Sequence, residues 1–100
     1  MFGNIKEQLK TAQKEMKENL EEKYATGTAG EGKIEVVVNG NRKMISLNIA
    51  PELAEAENIE EIQQFILEAS NNALNKAEKM AEDEMMNLAK NMLPDLPGLF

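Results

Sequence analysis

The apolar positions of this chain change period twice. Ile5, Leu9, Ala12, Met16 and Leu20 recur at spacings of four, three, four and four, which places one apolar stripe along a helix predicted over about residues 4–24. Between Gly32 and Ile49 the period drops to two. Ile34, Val36 and Val38 alternate with Lys33, Glu35 and Val37, and Ile45, Leu47 and Ile49 alternate with Met44, Ser46 and Asn48. Asn39-Gly40 between them supplies residues suited to the positive φ of a tight hairpin turn. A helical period then returns through Ile59, Ile62, Phe65, Ile66, Ala69, Ala73, Leu74, Ala77, Met80 and Leu88. It predicts a helix over about 59–92, ended by Pro94 and about 45 Å long at 1.5 Å per residue.

The connecting segments fit this division. ATGTAGEG, residues 25–32, ends the first helix and has room for a short edge strand; its glycines match neither phosphate-loop spacing. Pro51 ends the second strand, residues 52–56 suit one helical turn, and Asn58 with Glu61 resembles a capping box. A lone hairpin is marginal in water. The ribbon therefore needs helices on its apolar face, further strands at its edge, or both. The long helix must overhang so small a sheet, and the overhang leaves a surface for another helix or a second copy of the chain. The expected fold class is α+β: helix, three-stranded antiparallel sheet over about 25–50, and long helix. Residues 1–93 form one domain, and the Pro-rich segment 94–100 an irregular tail.

Composition narrows the function. The 100 residues are 42% hydrophobic, and a domain of this size buries only about 60 to 70% of its unfolded surface, which leaves room for support from a partner subunit. There is no cysteine and no histidine, which removes disulfides, thiolate chemistry, and the commonest general base and metal ligand. Glu60-Glu61 and Glu82-Asp83-Glu84 are adjacent in sequence and diverge by about 100° per residue on a helix, so they do not converge on a metal. No enzyme, cofactor or metal is expected. No segment is apolar enough for a signal peptide or a membrane span, which points to the cytosol.

The formal charge of −7 is unevenly placed. Residues 1–24 balance five Lys against five Glu, whereas residues 51–100 carry three Lys against eleven acids. Within the balanced first helix, Lys6, Lys10, Lys14 and Lys17 fall on one strip beside the apolar stripe. Such a strip taken alone also suits a solvated helix face with Glu/Lys pairs.

The order of a charged helix, a Gly-rich turn, KIEVVVNGNRKMISLNIAPEL, a long helix containing NNALNKAEKMAEDEM and a terminal LPGLF resembles the YbaB/EbfC family of bacterial nucleoid-associated proteins. The resemblance spans the chain, with Ala50 where the family usually carries Asp. It implies a tweezer-like homodimer in which sheets associate and paired helices project, binding double-stranded DNA in the nucleoid and influencing gene expression. On that reading the DNA-binding residues are Lys6, Lys10, Lys14 and Lys17, joined by Lys76 and Lys79 on the second helix. Arg42 and Lys43, beside the hairpin turn, are in reach of a phosphate, although a solvated turn is the commoner use of such residues. One tyrosine and three phenylalanines give no stacking platform for single strands. The alternative is a scaffold dimer that docks another protein through Met80, Met85, Met86, Met92 and the tail, with weak or no DNA binding.

Overall fold

The computed structural model describes residues 2–92, in the order α1 (Phe2–Glu21), β1 (Tyr24–Ala29), β2 (Ile34–Asn39), β3 (Met44–Ile49), 3-10 turns at Pro51–Leu53 and Ala56–Asn58, and α2 (Ile59–Met92). The strands form one antiparallel sheet in the order β1-β2-β3, the expected α+β arrangement. Helix α2 lies on one face of this sheet, over β1 and β2, and runs on past it. The molecule is accordingly long and thin, 64 × 25 × 16 Å. The tail expected at 94–100 lies outside the described residues.

Helix α1 stops at Glu21, short of the limit expected near 24, because Tyr24 is already paired with Asn39 across the sheet. Strand β1 is an edge strand but not a short one. All six of its residues pair with β2, from Tyr24 opposite Asn39 to Ala29 opposite Ile34. Tyr24, Thr26 and Thr28, aromatic or β-branched, stand on the open face, where such side chains favour a strand. Ala25, Gly27 and Ala29 face inward and are buried.

The inward residues are small because α2 crosses β1 at backbone contact. A Cβ on Gly27 would lie 2.0 Å from the Ala69 carbonyl oxygen and 2.6 Å from the Ala73 nitrogen. Ala69, Ala73 and Ala77, one helical turn apart, are fully buried and keep that face of the helix thin. Ile34, Val36 and Val38 of β2 fill the space beside this contact and are also fully buried. Phe65 closes the end of the core over the β1–β2 turn, where a Cβ on Gly30 would meet its ring at 2.8 Å.

Strand β3 departs from the expectation of one continuous apolar face against the helices. Ile49 and Leu47 stand opposite Ile34 and Val36 and so share their face, but a bulge between Val37 and Val38 brings Met44 opposite Val38 and leaves Ile45 unpaired. Met44, Ile45, Leu47 and Ile49 remain 36 to 49% exposed, because α2 does not reach across to them. The turn before it also differs from a two-residue hairpin. Positive φ falls on Arg42 at 63° rather than on Gly40, and Arg42 N–H donates to the Asn39 carbonyl at 2.9 Å. This is a three-residue loop of a type I turn followed by a left-handed residue.

The expected capping box at the start of α2 is absent: neither Asn58 nor Glu61 forms a side-chain hydrogen bond among the described residues. The preceding 3-10 turn runs directly into the helix, with Asn58 N–H donating to Glu55 O at 3.0 Å, and takes the place of a side-chain cap.

Candidate nucleic-acid interface

Beyond the sheet, α1 and the C-terminal half of α2 form a two-helix arm. Its base is tight. Leu20 is 3% exposed and sits against Gly40, whose hypothetical Cβ would be 2.7 Å from the Leu20 carbonyl oxygen. Farther out the grip loosens, with Ala12 and Met16 half-buried and Leu9 and Ile5 exposed at 43 and 57%. The cleft between the helices is lined by Met16 and Asn19 on one side and Glu84, Leu88 and Asn91 on the other. Glu84 is ion-paired with Lys23, which neutralises an acid that α2 turns toward α1.

Lys6, Lys10, Lys14 and Lys17 occupy the strip of α1 beside its inward stripe, and all four are exposed. Among the described residues none of the four has a carboxylate partner. At 1.5 Å per residue the strip is about 16 Å long, close to half a turn of duplex DNA. The charges are exposed and aligned on one helix, which suits contact with a phosphate backbone and offers little base discrimination.

Lys76 and Lys79 do not join this strip. Lys76 Nζ donates to the Thr26 carbonyl of β1 at 2.8 Å, which ties it to the outer edge of the sheet. Lys79 lies one turn on, in a shallow hollow with Glu68, Asn71, Asn72 and Asn75. The α1 strip begins at the opposite side: the Lys17 carbonyl accepts from Asn41 Nδ2 in the β2–β3 loop at 2.9 Å. Lys76 acts at least partly as a cover for an edge carbonyl, a use that sequence spacing does not disclose.

A second surface accompanies the lysine strip on the β3 side. With Ala69 and Ala73 facing the sheet and Lys76 over β1, Leu67 and Leu74 fall on the other flank of α2, about 100 to 120° round from Ala73. Leu67 is 57% exposed, and with Leu47 and Ile49 of β3 it leaves an apolar flank uncovered. Periodicity identifies these residues as apolar; only the position of α2 over β1 and β2 makes them exposed.

No described helix is long and apolar enough to cross a membrane. Among the described residues no group of three or more acidic side chains is placed to hold a metal ion.

These features define an α+β protein with a helical arm that bears an exposed cationic strip. The YbaB/EbfC DNA-binding family matches residues 1–92, and the chain belongs to that family. It is 38% identical to a nucleoid-associated protein of Pelotomaculum thermopropionicum over 106 aligned positions, covering 100% of this chain and 99% of that protein. A nucleoid-associated protein of Caldanaerobacter subterraneus subsp. tengcongensis is 36% identical over 103 positions, covering 97 and 91%. The fold is similar to the crystal structure of an uncharacterized protein from Helicobacter pylori, with a TM-score of 0.68, 28% identity and 92% coverage of each chain. The family is one of nucleoid-associated DNA-binding proteins and not an enzyme family.

Proposed function

We propose that this chain acts as a homodimer that binds double-stranded DNA through the α1 strip and so contributes to nucleoid organisation and gene expression. The observation that carries the DNA reading is the line Lys6, Lys10, Lys14 and Lys17, exposed and without carboxylate partners among the described residues, on a chain of a DNA-binding family. Dimerisation is supported by the uncovered flank of Leu47, Ile49 and Leu67, which a second copy would bury around a two-fold axis. A two-fold beside β3 would place the base of each α1 strip near the interface, since the β2–β3 loop and Lys17 are bonded. Lys76 and Lys79, near the opposite sheet edge, then contribute less. The net charge of −7 is screened beyond about a Debye length, so the local strip governs contact.

Salt-dependent titration tests this reading. Two strips offer about eight lysines, and Z neutralised phosphates give a slope of log K against log salt near −0.9Z. Fluorescence-anisotropy titration of a short duplex should give a steep slope, and the Lys6, Lys10, Lys14 and Lys17 to Ala variant should lose binding. A wild-type protein that fails to bind at low salt would overturn the DNA reading. Removal of residues 93–100 should leave duplex binding intact; the scaffold alternative instead requires weak or no duplex binding by the wild type and loss of protein docking on that removal.

A further inference from the structure

The β2–β3 loop is fixed to the last turn of α1 by bonds that a solvated turn would not require. Gly40 N–H donates to both Leu20 O and Lys23 O at 2.8 Å, and Asn41 Nδ2 donates to Lys17 O at 2.9 Å. Within the loop, the side-chain oxygen of Asn39, a residue only 2% exposed, accepts from Asn41 N–H at 2.9 Å and Lys43 N–H at 3.0 Å. Asn39 N–H closes the loop onto Lys43 O at 2.9 Å.

This scaffold presents two cations. Arg42 and Lys43 are both exposed, and among the described residues neither pairs with a carboxylate. Arg42 stands at φ 63°, where Gly or Asn would be more comfortable, yet it is the chain's only arginine. The backbone is already ordered, so a bound phosphate need fix only the side-chain stems. Arginine adds the planar fork that grips phosphate oxygens through two bonds.

We infer that Arg42 and Lys43 form a phosphate-gripping continuation of the α1 lysine strip, at the point where the arm leaves the sheet. The inference rests on the DNA reading above and adds to it a fixed contact at the base of the arm, beside the β3 flank, where a strip of lysines alone would end at Lys17. In the dimer the two loops would bring four more positive charges near the interface.

The test removes the charge while suiting the backbone. Arg42→Gly relieves the positive φ, and Lys43→Gln keeps a stem of similar polarity. The double variant should melt at the wild-type temperature or above. Its affinity for a duplex of about 25 base pairs should fall at least tenfold at about 100 mM salt, and its salt slope should shrink by about two to four. A variant that matches wild type in both affinity and slope, while wild type binds steeply, would overturn the loop contact and leave the lysine strip standing. Wild-type protein that does not bind at low salt would overturn both. A lowered melting temperature with an unchanged slope would assign Arg42 and Lys43 to the fold and also overturn the inference.

Discussion

Strands β1 and β3 flank the same central strand and are six residues each, yet their burial runs against their composition. YATGTA, with no large aliphatic side chain, has its inward positions buried, whereas MISLNI, with four, is mostly exposed. The difference follows from how closely a helix can approach. Over Gly27 and the alanines of α2 the backbones meet, so β1 is covered by main chain. Large residues on β3 would hold a helix off. They are left to a partner that can interlock with them, and the strand richest in apolar groups becomes the candidate interface.

The comparison breaks most visibly at Gly27. Replacing it by Val forces a side chain into the Ala69 and Ala73 backbone, and the variant should lose about 3 kcal/mol or more and melt far below wild type in circular dichroism. Asn39→Ala comes next. It orphans the N–H groups of Asn41 and Lys43 in the loop that leads into β3, for a loss of about 2 kcal/mol in urea unfolding. On β3 itself, Leu47→Glu with Ile49→Glu should change the stability of a single chain by about 1 kcal/mol or less, since both positions are already exposed. The same pair should reduce the light-scattering mass from dimer to monomer. An unchanged dimer would place the interface elsewhere and leave the exposed strand unexplained. The smallest effect belongs to the other edge, where Lys76→Ala removes one exposed bond to Thr26 and should cost about 0.5 to 1 kcal/mol, with little change in duplex affinity.

Much of the fold is legible in residue spacing. The stripe from Ile5 to Leu20, the alternation through Ile34 to Ile49 and the long period from Ile59 place two helices and two strands. Strand β1 is harder to read, because Thr-Gly-Thr between alanines has the composition of a turn and acquires its meaning from the helix above Gly27. The lysine strip is likewise legible, since α1 is regular and its wheel needs no partner to draw. The β2–β3 loop is not: Asn39-Gly40 reads as a two-residue turn, and the glycine is needed for its closeness to Leu20 rather than for positive φ.

The sequence by itself determined the periods, and through them which elements exist, which faces are apolar and which lysines share a helix side, because these depend on a few residues of one chain segment. The tertiary structure decided that α2 covers β1 and leaves β3 open, that Lys76 is drawn to a sheet edge while Lys17 meets a loop, and that Arg42 is presented on a fixed backbone. Those outcomes depend on distances between segments far apart in the chain, set by the small size of Gly27, Gly40 and the alanines of α2, and no local pattern records them.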